Sequence, residues 1–310
     1  MKRIEVLGLH GIPKIEQGDN LAEIVIKCID DEIGGLKEKD IIILTSKIVS
    51  KAAGLVRELS EVVPGKKALA ISRKTGKDAK WVQMIFDAGH EILAIIPIKG
   101  FVERHIMNAT GEDEQCSREL IEHEQAICVT RGKDGRIHTC DAGIDGSNHP
   151  PGLVGLLPEN PDEAARQIRE RIKKLSGKEV AVILADTEII PFGFGTMDLA
   201  VGSSGIEPVS KEFGKKDLFG KPKFGGIDLV AYELTAASAL VFGQTDDGIA
   251  AAVIRGFDYQ VSETENISNT IWPDANGDSM AKTIKATMRA TSYACSLKSR
   301  LLLKIASWFV

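Results

Sequence analysis

Two carboxylates stand among oxygen-bearing neighbours in this 310-residue chain: Asp145 in AGIDGSN (Ala142 to Asn148) and Asp186 in VAVILADTEIIPFGFGTMDLAVGSSG (Val180 to Gly205). The run Val180 to Ala185 has the length and Val/Ile/Leu content of a buried strand, expected to stop at Asp186 and Thr187. Asp145 follows a short Ala-Gly-Ile rise and precedes Gly146, Ser147 and Asn148, the composition of a tight turn. Two carboxylates, a hydroxyl and an amide at element ends suit a hard divalent cation that also carries nucleotide phosphates. The same residues would equally serve as turn and loop caps. A second group, Thr45-Ser46-Lys47-Ile48-Val49-Ser50-Lys51, follows the apolar run Asp40 to Leu44. Hydroxyls and lysines delivered by a buried strand can meet phosphates, or can form a capped helix start with solvated lysines.

Bulk composition narrows the partners. The chain is 43% hydrophobic and 27% charged, which permits a sizeable core in one large or two modest domains. Its net charge of -5 and 5% aromatic content argue against a nucleic-acid surface, so a small-molecule partner is expected. Five cysteines without a Cys-x-x-Cys pair read as free thiols of a reducing compartment. Met1 to Ile15 is interrupted by His10 and Pro13 before it could act as a signal segment, and no apolar stretch is long enough for a membrane span. A cytoplasmic protein is expected.

The elements that must position these residues follow from periodicity. Strands are expected at Ile4 to Leu9, Asp40 to Leu44, Glu91 to Ile98, Val180 to Ala185 and Ile249 to Ile254, with a hairpin across Gly132 to Gly135. Asn20 caps a helix with Leu21, Ile24, Val25, Cys28 and Ile29 on its apolar face, and Asn160-Pro161-Asp162-Glu163 opens another that ends at Gly177. One helix is expected over Ala68 to Lys80, and a strand passing into a helix over Ile227 to Phe242. Residues 99–124 read as a surface insertion whose His105, Cys116 and His123 lack metal-ligand spacing. The segment around Gly193, Gly195, Gly202 and Gly205 reads as too glycine-rich for a regular element, and it contains neither a P-loop nor a dinucleotide fingerprint. The loop Gln244 to Gly248 is rich in oxygen donors, and a final helix is expected between Met280 and Phe309.

Seven motifs in order make the pattern specific: LTSKIVSKAAG (Leu44 to Gly54), DAGIDGSN (Asp141 to Asn148), LLPENPDEAARQIR (Leu156 to Arg169), ADT (Ala185 to Thr187), DLAVGSSGIEPV (Asp198 to Val209), GKKDLFG (Gly214 to Gly220) and GQTDDGIAAAVIRG (Gly243 to Gly256). Together they resemble the coenzyme F420-0:L-glutamate ligase family, over about Ile4 to Gly256. The resemblance implies a mixed α+β fold in two lobes, distinct from P-loop, Rossmann and ATP-grasp folds. Residues 1–257 would form the catalytic module and 258–310 a C-terminal extension. It also implies a GTP-dependent amide ligase acting through an acyl phosphate on L-glutamate and a deazaflavin acceptor, working in the cytoplasm as a homodimer. Two Mg2+ or Mn2+ ions are implied, one on Asp145 and Asp186 and one on Thr187 and Gln244, and the family pattern admits K+. GTP would lie against Ile12, Pro13, Lys14, Ile15, Ser46, Lys47, Lys51, Asn148, Phe242, Gly243, Gln244, Thr245, Asp246, Asp247, Gly248 and Ile249. Lys51, Asp145 and Asp186 would carry the catalysis.

The chain departs from the family pattern after the Asp-Thr pair. A segment that usually contains arginines is here Glu188-Ile189-Ile190-Pro191-Phe192-Gly193-Phe194, and Asp141 replaces the usual asparagine. Three readings follow: ligation to coenzyme F420-0, the same chemistry on another acceptor such as a folate, a pterin or another small acid, and a non-catalytic nucleotide-binding paralogue. Retention of Asp145, Asp186, Thr187 and Gln244 weighs against the last.

Overall fold

Buried β-branched runs with helical stretches between them build a three-layer core. The structure, a computed structural model, describes residues 3–104, 114–190, 195–271, 287 and 296–306. In chain order come β1 (Glu5–Gly8), α1 (Leu21–Ile33), β2 (Ile41–Thr45), α2 (Ser46–Ala52), β3 (Val56–Glu58), α3 (Lys66–Thr75), α4 (Ala79–Asp87), β4 (Glu91–Ile96), α5 (Ile98–Glu103) and α6 (Glu114–His123). They are followed by β5 (Ile127–Arg131), β6 (Ile137–His138), β7 (Leu153–Gly155), α7 (Pro161–Ser176), β8 (Ala181–Ile190), β9 (Gly195–Ser204), α8 (Val230–Phe242), β10 (Ala251–Arg255) and α9 (Ile267–Thr270). A last helix spans Leu297–Ala306. The α+β class expected from the sequence is the class observed.

The main sheet has the order β1-β10-β2-β8-β9, with β2 and β8 parallel and the other pairs antiparallel. Alternation sends Ile42, Leu44, Val182, Leu184 and Val253 to one face, where α1 and α7 cover them. Ile41, Ile43, Ile183, Ala252 and Ile254 point the other way, under α8. Strands buried on both faces need near-continuous apolar sequence, which is why β2 reads Ile-Ile-Ile-Leu. Residues after β10 pack here too: Tyr259 and Ile267 are buried in the second face, and Arg169 holds Glu263 at 2.7 and 2.6 Å. The second lobe contains the three-stranded sheet β4-β5-β6, with a core of Met84, Ile85, Cys128, Ala142, Ile144 and Val154.

Several elements differ from expectation, each for a physical reason. The stretch expected as one helix over 68–80 is two, because Gly76 ends α3 in a left-handed conformation and Asp78 caps α4 through the Lys80 and Trp81 amides. The strand expected to pass directly into α8 from Ile227 is not formed among the described residues, and the element before α8 is β9. The insertion proves to be the connection from β4 to β5, with α5 and α6 joined by a Lys99–Glu122 ion pair. Its centre, including His105, lies outside the described residues, as do Pro191 to Phe194 and most of the expected terminal helix.

The largest correction concerns β8 and β9. β8 does not stop at Asp186 but runs to Ile190, and the glycine-rich segment forms β9, a full antiparallel partner from Gly195 to Ser204. Gly202 is there because α7 begins against it: a Cβ at that position would lie 2.8 Å from the Asp162 amide nitrogen and closer still to the Pro161 carbonyl. The glycine marks close helix–strand packing, not a break.

Two lesser effects are expected in this frame. Asn160 accepts the Glu163 amide at 3.1 Å as the α7 cap, so Asn160→Ala should cost about 1 kcal/mol, read as a lower urea midpoint with unchanged slope. His90 packs on His138 with ring centroids 5.4 Å apart, and burial, then the His138 charge, pushes its pKa down to about 4. The unfolded chain, with histidine near 6.5, therefore binds the extra proton between those values. The contribution of His90 to stability is complete above pH about 6.5 and is lost as the pH falls towards 4. Urea midpoints measured across that window should fall less steeply in His90→Asn than in the parent protein.

Candidate active site

The site opens where β2 ends. The parallel pairing of β2 with β8 finishes at Thr45 and Ala185, so Asp186 is the first residue of β8 to extend past its neighbour. Its carboxylate accepts a hydrogen bond from the Ser46 hydroxyl at 2.7 Å, at the start of α2. Thr187 donates its hydroxyl to Asp198 Oδ1 at 2.7 Å across the β8–β9 pair. The two residues thus sit within a long strand, yet at the place where the sheet narrows.

The facing wall is the turn that carries Asp145. This residue exchanges backbone hydrogen bonds with Gly155, at 3.1 and 2.8 Å, which pins it to β7. Its carboxylate accepts from the Ser147 amide at 2.6 Å and hydroxyl at 3.0 Å, and pairs with Lys47 at 2.8 Å. Lys51 donates to the Asn148 carbonyl at 2.8 Å, and Asn148 donates its side-chain amide to the Thr245 carbonyl at 3.3 Å. Helix α2, the Asp145 turn and the loop after α8 are in this way tied together around one opening.

That opening is a cleft of about 580 Å³. Residues 12–15, Ser46, Lys47, Lys51, Asp145, Asn148, Asp186, Thr187, 242–246, 248 and 249, named above by the resemblance, all line it. Asp247 is absent from the lining; its carboxylate turns back over Gly243, 3.4 Å from the Thr245 hydroxyl. Asp198 and Cys140 line the cleft without having been singled out beforehand. Asp198 lies in the glycine-rich stretch, and its role comes from cross-strand pairing with Thr187.

Electrostatics divide the cleft in two. Burial lowers the Lys51 pKa, the charges of Lys47 and Lys14 lower it further, and Asp145 opposes. A half-buried lysine whose charge two neighbouring lysines disfavour marks a receptor for polyanions. Burial alone would raise Asp145, but Lys47 and Ser147 outweigh it and hold the carboxyl below its ordinary value. Asp186 is the opposite case: burial, then the charge of Glu188, pushes it up to about 7, with Asp145 adding to the effect against the Ser46 bond and His138. A carboxyl under that pressure near neutral pH is one that a bound cation would hold ionised.

A divalent cation fits these donors. Among the described residues no three His, Cys, Asp or Glu side chains converge as a chelating group. The donors at hand are the carboxylates of Asp145 and Asp186, the Thr187 hydroxyl and the Gln244 amide, all on the cleft. One or two carboxylates supplemented by phosphate oxygens is how Mg2+ is ordinarily held. The half-buried Asp186 carboxyl, crowded by the charges of Glu188 and Asp145, is the observation that favours a cation there.

Comparison with known proteins defines the class. The chain belongs to the F420-0:Gamma-glutamyl ligase family, whose model matches residues 11–256. Among its relatives, the Coenzyme F420:L-glutamate ligase of Methanosarcina mazei is 34% identical over 273 residues, covering 88% of this chain and 93% of that protein. The protein of the same name from Methanothermobacter thermautotrophicus is 34% identical over 82% of this chain and 89% of its own length, and that from Archaeoglobus fulgidus is 32% identical over 82% and 88%.

Proposed function

We propose that this protein is an acid–amino-acid ligase that joins L-glutamate to the carboxylate of coenzyme F420-0, and to its glutamylated forms, at the expense of GTP. The names of its relatives support glutamate ligation, and one observation carries the chemistry: a single cleft gathers Lys14, Lys47 and Lys51 with Asp145, Asp186 and Thr187. The lysine side receives the triphosphate. The guanosine lies along residues 12–15, 242–246, 248 and 249, where loop backbone and the apolar Ile12, Ile15 and Phe242 line the wall. The acceptor carboxylate attacks the γ-phosphorus to give an acyl phosphate and GDP, and the glutamate amine then displaces phosphate, leaving an amide.

Divalent cations held by Asp145 and Asp186, and by Thr187 and Gln244, would neutralise charge on the phosphate oxygens. The chain's own part is placement. Lys47 holds Asp145 ionised and Ser46 orients Asp186. Lys51, its charge disfavoured by burial and then by Lys47 and Lys14, becomes fully effective only against an anion. A homodimer belongs to this reading: residues 211–224 are exposed throughout and present Leu218, Phe219 and Phe224, an apolar surface that a second copy would cover. Sedimentation at micromolar concentration should give twice the chain mass.

A different acceptor is favoured by one feature. Where guanidinium groups are usual for the family, Ile189 and Ile190 line a separate cavity of about 230 Å³ with Leu199 and Tyr232, and the charged groups on its wall are already engaged, Arg136 by Asp162 and Glu188 by His138 and Thr139. Apolar residues there suit an uncharged group better than a phosphodiester. Incubating the protein with GTP, Mn2+, L-glutamate and a panel of acceptors separates the readings. Phosphate release that requires coenzyme F420-0, with a product heavier by one glutamyl unit, is the expected result. Release with a folate, pterin or other acid alone would transfer the reaction to that acceptor, and GTP binding without release under any combination would remove catalysis.

A further inference from the structure

The turn that delivers Asp145 is held in an unfavourable conformation. Asp141, Ala142 and Gly143 have φ of 49, 62 and 69°, three successive left-handed residues, two of them carrying a Cβ. Something must hold them. Lys77, in the short link between α3 and α4, is 1% exposed, and its Nζ lies 2.7 Å from Asp141 Oδ2 and 2.8 Å from Glu124 Oε2. The other Asp141 oxygen accepts the Cys128 amide at 2.8 Å. The same Nζ stands 5.0 Å from the centre of the Trp81 ring, and that ring packs on Gly146, where an added Cβ would meet Trp81 Cη2 at 3.5 Å. One ammonium therefore grips the turn at Asp141 and, through Trp81, just beyond Asp145.

We propose that Lys77 is a positioning residue that fixes the Asp141–Gly146 turn so that the Asp145 carboxylate is presented to a cation in the cleft. The proposal rests on Asp145 being a cation ligand. A buried ion pair as such gives little net stability over an apolar replacement, so stability alone does not account for a lysine here. Three directed N–H groups that reach two carboxylates while the charge faces an aromatic ring do specify a geometry. Partners that orient a ligand, without touching the ion, typically govern metal affinity by 10- to 100-fold.

The test compares the full-length protein with Lys77→Met and with the double variant Lys77→Met/Asp141→Asn. Free Mn2+ is followed by electron paramagnetic resonance during titration in the presence of a non-hydrolysable GTP analogue, and melting temperature is recorded for each protein. Lys77→Met, which strands the Asp141 charge, should melt lower and bind Mn2+ about tenfold more weakly. The double variant, which removes both charges, should recover most of the melting temperature while Mn2+ affinity stays about tenfold down. Mn2+ affinity that recovers together with the melting temperature, or that is unchanged in a folded Lys77→Met, overturns the proposal and leaves a purely structural pair. A parent protein that binds no Mn2+ overturns the cation reading of Asp145, and this proposal with it.

Discussion

Replacing Asp186 with asparagine should lower turnover by about 10³-fold or more while the fold is kept, because the amide preserves shape and the Ser46 contact but carries no charge. Asp186 lines the cleft with Asp145, and the charges of Glu188 and Asp145 both disfavour its own. Its carboxylate is costly to ionise in the protein alone, so its negative charge serves what binds there. Removing that charge relieves repulsion, and the variant should melt at or above the parent temperature. A loss of activity combined with retained or increased stability is the signature of a group kept for function. Parent-like rates in Asp186→Asn would remove this residue from the chemistry.

The largest effect on folding should come from Gly202→Ala. This glycine lies in β9 where the first turn of α7 abuts the strand, and the atoms a methyl group would meet belong to the Pro161–Asp162 backbone. Backbone anchored at both ends has no rotamer to change. Asp162 is itself fixed by the Ser203 amide at 2.8 Å, by Arg136 at 2.8 Å and by the amides of Ile267 and Ser268, each at 3.1 Å. Overpacking in such a place costs about 3 kcal/mol or more. A shift of the urea midpoint by that amount, or failure to fold, is the expected outcome, whereas Gly195→Ala, with open space around its Cβ, should change the midpoint little.

What could be read from the sequence was whatever is local. The β2 run, the Asn20 and Asn160 caps and the hairpin around Gly132 to Gly135 depend on near neighbours in the chain, and they stand where composition placed them. The cleft residues were anticipated from an ordered set of motifs, and nearly all of them meet on one opening. The failures are contacts between distant segments. A glycine that admits α7 looks in sequence like a glycine that breaks a strand, so β9 was missed and β8 was cut short at Asp186. Asp198 was overlooked for the same reason, since its role comes from facing Thr187 across a strand pair. Lys77 read as one more basic residue on a helix, because nothing local shows that Asp141 will close over it.

Phosphorylation of the acceptor carboxylate within this cleft is tested directly by isotope transfer. Coenzyme F420-0 bearing 18O in its free carboxylate is ligated to L-glutamate with unlabelled GTP, and the released phosphate is analysed by mass. Passage through an acyl phosphate predicts one 18O in each phosphate formed, taken from the carboxylate as the amide forms. Unlabelled phosphate, with both oxygens accounted for elsewhere, would contradict it.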